Sequence, residues 1–446
     1  MTACSHDASP FGDPICTHLR DASDPWVRYV KWYTGKGLDL ERLCEACAEA
    51  RGEGGHVTVG TVCEECFRRI TEDVADFVGV RGSPEVRSRP EPFETSVAPL
   101  SLSTATGELT DAAPIEMASG SIWLLLEEGG GLVRLDTRTM ESTPLGSVNV
   151  PAEPDHEPWC NHALRRRLHV SSRGDFAAVV NDFGHWGQVV DLRSGKTTLS
   201  LDGGEYHPET VPFSFAFVEA RGRTLCIHRT AWNRLDLSDP ATGALLTARQ
   251  ATRSTPEARP DHDLDYFHGA LLLNASSTRV LDDGWVWHPV GIPVIWSVEQ
   301  WLDNVWESED GPSRLDICAR SYYWNGPMTW LDDEHIAIGG IGDDDNEIVP
   351  GARIFDVSRR GRPGPTWRAD WEWALEIKTF AGPEGTFFSD GKWLFSSNAA
   401  GLSRWDPLTG ERTGHLPGFC PSRYHRAARE WIELREGRLV RMTIAS

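Results

Sequence analysis

Cys44-Glu-Ala-Cys47 is followed, after fifteen residues, by Cys63-Glu-Glu-Cys66. Two such pairs, each on a tight knuckle, can place four soft donors tetrahedrally around an ion with no geometric preference of its own. That ion is zinc, at about 2.3 Å per Zn–S bond. A four-thiolate set leaves no coordination position for water, so the chemistry it supports is structural and not hydrolytic. Further upstream, Cys4-Ser-His6 and Cys16-Thr-His18 form two Cys-x-His pairs, enough for a second Cys2His2 ion. The eight donors also permit a cross-brace, the first pair joining the third and the second joining the fourth. One structural zinc ion is expected, with room for a second.

These donors need elements to hold them. After Cys63 the chain reads CEECFRRITEDVADFVGV, which sets Phe67, Ile70, Val74, Phe77 and Val78 on one helical face. The spacing therefore predicts the last ligand pair at the start of a helix. Trp26, Tyr29, Trp32 and Tyr33, between the clusters, read as the core of a small metal-stapled domain. A ligand pair at a helix start resembles treble-clef zinc folds. The paired arrangement of all eight donors resembles RING-type and ubiquitin-protease-type zinc fingers, although a Cys-x-His opening departs from RING spacing. Residues 1–78 are thus expected to form a small α+β zinc-binding domain. The Pro-, Gly- and charge-rich stretch 79–95 reads as a linker.

From residue 96 to 446 strand-like segments recur between Gly, Asp, Asn and Pro signals, and amphipathic helices are scarce. Several hairpins share a strand, an acidic residue, a polar turn and a second strand: GLVRLDTRTMESTPL, GQVVDLRSGKTTLSL, NRLDLSDPATGALLT, ARIFDVSRRGRPGP and GLSRWDPLTGERTGHL. Others of the type LHVSSRGDFAAVVND precede several of them. Paired hairpins make four-stranded units about 40–55 residues apart, the period of propeller blades. The segment LHVSSRGDFAAVVNDFGHWGQVVDLRSGK resembles one blade of a WD-repeat or YVTN-like β-propeller, and Trp405-Asp406 reproduces the WD dipeptide. Leu135-Asp136, Val190-Asp191, Leu235-Asp236 and Phe355-Asp356 keep only its acidic residue. The resemblance implies a mainly β fold of seven blades, six or eight also fitting the spacing. The final unit, 422–445, is too short for four strands, so residues 93–104 are expected to supply its outer strand and close the ring.

Charge narrows the function. The chain has 446 residues and a formal net charge of −22, and residues 1–78 hold eight Lys/Arg against fourteen Asp/Glu. Sequence-independent binding to nucleic acid or to an anionic membrane needs the opposite sign, so neither is an expected partner. The longest apolar runs fall far short of the ~20 residues of a spanning helix. No secretory signal is legible at the N-terminus, and six cysteines clustered before residue 67 beside four isolated ones suit metal binding in a reducing cytoplasm. No nucleophile elbow, phosphate loop or HExxH is present to argue for catalysis. Trp285, Trp287, Trp301, Trp306 and Trp324 crowd one stretch and are candidates for contacting a partner protein. The expectation is a non-catalytic protein-interaction scaffold. A ubiquitin-ligase-like adaptor, a propeller enzyme and a small-ligand sensor are the alternatives.

Overall fold

The computed structural model of the chain describes residues 9–22, 27–100, 107–117, 119–154, 162–249, 262, 264–360 and 373–444. The N-terminal part is a five-stranded sheet. Its strands are β1 (Phe11–Cys16), β2 (Val27–Tyr33), β3 (Leu40–Cys44), β4 (Val59–Val62) and β5 (Ala75–Arg81), in the order β4-β1-β3-β2-β5. Short helices α1 (Thr17–Arg20), α2 (Glu45–Gly52) and α3 (Glu64–Arg68) follow β1, β3 and β4 directly. Ile15, Leu19, Tyr29, Val30, Leu43 and Ile70 form the core of this unit. The expected long helix after Cys63 is corrected. Beyond α3 and a wider turn over Arg69–Val74, Phe77 and Val78 lie on β5. A Val- and Phe-rich run is better accommodated beside β2 than on a helix, because β-branched and aromatic side chains suit a half-buried pleat.

Seven sheets follow, and they form a seven-bladed β-propeller. The innermost strands are Leu109–Pro114, Arg165–Val170, Phe215–Ala220, Phe267–Leu273, Met328–Trp330, Thr386–Ser389 and Arg423–His425, one to a blade. Second strands such as IWLLLE (122–127) and FAAVVND (176–182) are buried on both faces, since each blade is sandwiched between two others. Hence they read as near-continuous apolar runs and not as alternation. The cores accordingly sit between blades. Trp123 and Leu125 of blade 1 pack on Ile432 and Leu439 of blade 7, and Leu124 and Leu126 pack on Leu168 and Val179 of blade 2.

The acidic residue of each polar hairpin has a local task. Asp136, Asp191 and Asp406 each accept backbone N–H bonds, through Oδ1, from residues two and three positions on. Such bonds hold the turn closed. Trp405 meanwhile donates from Nε1 to Ser396 Oγ at 2.9 Å. Blade 3 departs from this rule: the turn belongs to Asp239, and Asp236 is a buried hub for Arg234, Thr247 and Arg249.

Strand β6 (Thr95–Pro99) pairs antiparallel with Arg438–Ile444, from Ile444↔Thr95 to Val440↔Pro99. It is the outer strand of blade 7, so the two ends of the propeller share one sheet. Blade 4 carries two helical turns (Val298–Trp301 and Glu307–Asp310) ahead of its outer strand, Leu315–Asp316. Ahead of β6, the proline-rich stretch is no free tether. Arg89 N and Glu91 N donate to Arg412 O and Thr413 O at 3.0 and 2.9 Å, along the outer strand of blade 6. Arg89 reaches Asp406 and Glu411 at 3.1 and 3.2 Å. Prolines suit such an edge position because their missing N–H is not needed there. Lys31 on β2 forms an ion pair with Glu347 of blade 5, joining the N-terminal unit to the propeller.

Candidate metal centre

Cys16 ends β1 and caps α1, its Sγ accepting from Leu19 N at 3.4 Å. Parallel β3 runs alongside in the register Ile15↔Arg42 and delivers Cys44 to the same end of the sheet. There Cys44 N donates to Cys16 Sγ at 3.3 Å. Cys47 lies in the first turn of α2, and His18 Nδ1 stands 3.1 Å from its sulfur. The three sulfurs lie within 4.8 Å of one another. Sulfurs sharing one tetrahedral zinc would be about 3.8 Å apart, so the group can close on an ion with little movement. With His18 as the fourth donor the set would be Cys3His, a common structural zinc set, and the backbone N–H bonds to Cys16 are the outer-shell support such ligands need. Burial raises the Cys16 thiol above its ordinary value, and burial with neighbouring Cys44 and Cys16 pushes Cys47 up to about 12. Sulfurs packed this closely ionise together only with a cation among them.

The structure regroups the donors that spacing had paired. Cys44 and Cys47 meet Cys16 and His18, not Cys63 and Cys66. The reason is topological. β4 runs antiparallel to β1 with Phe11↔Val62 and Cys16↔Val59, so Cys63 follows β4 at the far end of β1 from Cys16. The five steps from Phe11 to Cys16, at about 3.3 Å each, separate those ends by roughly 16 Å, several times the spread of sulfurs on one ion. The interleaved cross-brace is corrected by the same contact, since the second pair joins the third and not the fourth.

Cys63 and Cys66 nevertheless repeat the local form of Cys44 and Cys47. Cys63 precedes α3 in extended conformation (φ −74°, ψ 165°) and Cys66 occupies its first turn, as Cys44 (φ −60°, ψ 159°) and Cys47 do at α2. Cys4 and His6, the other expected donors, lie outside the described residues, as does Trp26.

Of the tryptophans read as partner contacts, Trp285 and Trp301 are corrected to core, at 1% and 0% exposure. Trp301 packs edge-on to buried Trp296, and Trp285 stacks between Phe267 at 4.3 Å and Trp324 at 4.7 Å. Trp306 is partly buried, stacked on His262 and under the Arg249 guanidinium. Only Trp287 of the five is substantially exposed, at 38%, and Tyr206 near it is 46% exposed. Tyr206 packs on Phe267 and Trp232, so the exposed pair caps a buried aromatic stack. Sequence reading missed Tyr206 and Trp232 because they come from a different blade. Asp343 to Glu347 form a turn tied by Arg353 and Lys31.

No protein-family model matches the chain, and no curated protein matches it. Among solved structures it resembles the crystal structure of the Myceliophteria thermophila Cps50 (Swd1) beta-propeller domain, at 13% identity and a TM-score of 0.46. That alignment covers 78% of this chain and 100% of the other. The propeller assignment rests on the seven sheets themselves.

Proposed function

We propose that the protein is a non-catalytic interaction scaffold, a structural zinc module fixed to a propeller that holds a partner protein. The convergence of Cys16, His18, Cys44 and Cys47 carries this reading. Four protein donors fill a tetrahedral ion and leave no position for water or substrate, so the ion stabilises a small domain and performs no hydrolysis. Its benefit is plain for a unit of this size, whose own core is small.

Cys63 and Cys66 take a second zinc with Cys4 and His6 in the same proposal. Their knuckle has the form of the first one. Cys4 and His6 precede Phe11 by seven and five residues, and Phe11 marks the end of β1 near Cys63. At up to about 3.5 Å per residue the chain reaches that end with length to spare. The partner contacts Trp287 and Tyr206, where an aromatic pair on a rigid base loses little entropy on binding. The ligase-like alternative loses its main support, because the second and third donor pairs converge.

Elemental analysis of protein purified without added metal tests the zinc reading. Two zinc ions per chain, one lost in Cys44→Ser and the other in Cys63→Ser, are expected; a single ion unaffected by Cys63→Ser would reject the second site. The scaffold reading predicts that a partner recovered with the wild-type chain is lost with Trp287→Ala while the fold survives. Turnover of a substrate abolished by one loop substitution would overturn it.

A further inference from the structure

The innermost strands of all seven blades enclose a channel of about 890 Å3. That is the size of an ordinary small-molecule site. The chain carries a net charge of −22, yet among the described residues the charged side chains lining this cavity are Arg165, Arg167, Arg423 and Arg426 against Glu116 and Asp283. An excess of arginine on the lining of so acidic a protein is a local feature that its overall composition does not explain.

We propose that the channel binds a small organic monoanion with an apolar body, a carboxylate held at the Arg165 and Arg167 wall. Arg165, Arg167 and His169 alternate along one strand and so share a face. Both guanidiniums donate from Nε to the same carboxylate oxygen, Asp182 Oδ2, at 3.2 and 2.5 Å. Asp182 is fully buried and supplies one negative charge for two positive ones. Arg423 has its own partner, Asp111, at 2.7 Å. One guanidinium charge on this wall is therefore uncompensated within the pair. The Arg165 side chain is 60% exposed, and among the described residues its guanidinium makes only the Nε bond to Asp182. A guanidinium offers five N–H donors in a planar fork that matches a carboxylate.

The rest of the wall suits the remainder of such a molecule. Phe215, Leu271, Phe387 and Trp330 give it an apolar surface. His169 Nε2, Asn325 Oδ1 and Tyr424 Oη are shielded and without a hydrogen-bond partner among the described residues, and all three residues line the cavity. Shielded polar atoms of this kind are left for a ligand or ordered water to satisfy. Burial keeps His169 neutral, down to about 3, so it adds no charge to the wall.

The test uses the full zinc-loaded chain with hexanoate as the probe and hexan-1-ol as its uncharged analogue, read by saturation-transfer NMR and calorimetry. Saturable binding of hexanoate at one per chain, at least tenfold weaker binding of hexan-1-ol, and a loss of about fivefold or more in Arg165→Gln are expected. Arg165 is exposed, so circular dichroism of that variant should be unchanged; Arg165→Lys, which keeps the charge and loses the fork, should fall between. No saturable binding, equal binding of hexan-1-ol, or equal affinity in Arg165→Gln would overturn the assignment. Binding of acetyl-Leu-Glu-Leu-amide without hexanoate would give the channel to a partner's acidic side chain and overturn it too.

Discussion

Cys16 and His18 matter more than their separation from the Cys-x-x-Cys pairs suggests, because a strand end and a helix start bring them to Cys44 and Cys47. On the zinc reading proposed above, removing one of these donors leaves an incomplete set, and the binding free energy of the ion is folding free energy for a unit so small. We expect Cys47→Ser to lower the unfolding midpoint of the N-terminal unit by tens of degrees while the propeller's transition stays in place, as calorimetry would reveal. A second residue-scale effect belongs to Asp283, which is fully buried beside Arg320 at 3.6 Å. Burial pushes its carboxyl up to about 7, Arg320 opposing. The folded state then holds a proton that the unfolded state has released, from about pH 4 to pH 7. Stability from this group is present below the unfolded value and lost as pH rises through about 7. Urea midpoints of wild-type protein should fall relative to those of Asp283→Asn between about pH 4 and pH 7 and level off above that, and parallel curves would count against it.

At the scale of elements, the turns and the ring closure make separate demands. Asp191 Oδ1 accepts from Arg193 N and Ser194 N at 2.8 and 3.2 Å. Asp191→Ala leaves those donors to solvent, which should cost about 1–2 kcal/mol in the urea midpoint without changing the slope. Asp236→Ala should cost more, since it strips Arg234 of its carboxylate and leaves the nearly buried Arg249 with Glu309 alone. Ring closure is tested by truncation. A chain beginning at residue 101 lacks β6 and leaves Arg438–Ile444 as an open edge. We expect it to aggregate or unfold without cooperativity, whereas a chain beginning at residue 93 keeps the blade and remains soluble.

For the molecule as a whole, the decisive feature is that the N-terminal unit is held and not tethered. The segment around Arg89 runs on blade 6, and Lys31 meets Glu347 on blade 5. Charge reversal tests this arrangement. Lys31→Glu should speed proteolysis within residues 79–95 several-fold, and the double reversal Lys31→Glu with Glu347→Lys should restore the wild-type rate. A rate unchanged by Lys31→Glu would mean the pair contributes nothing to docking. On the scaffold reading proposed above, a fixed N-terminal unit would present its surface and the Trp287 face at a set distance.

By itself the sequence determined what depends on neighbours along the chain: strand-turn-strand units, acidic turn residues, the Cys-x-x-Cys knuckles and the need for a strand from the front to complete the last blade. Leu135-Asp136 and Trp405-Asp406 announce their turns because turn chemistry is local. Asp236 does not, since its partners come from the fold. The donor pairing was not legible either, because Cys44 can reach Cys16 or Cys63 equally well until β4 is known to run antiparallel to β1. Only the tertiary structure decided which tryptophans are core and which are surface, and only the closed ring set four arginines of blades 2 and 7 around one channel. Spacing records what a short stretch of backbone can do; burial and charge compensation are properties of the residues that the fold brings together.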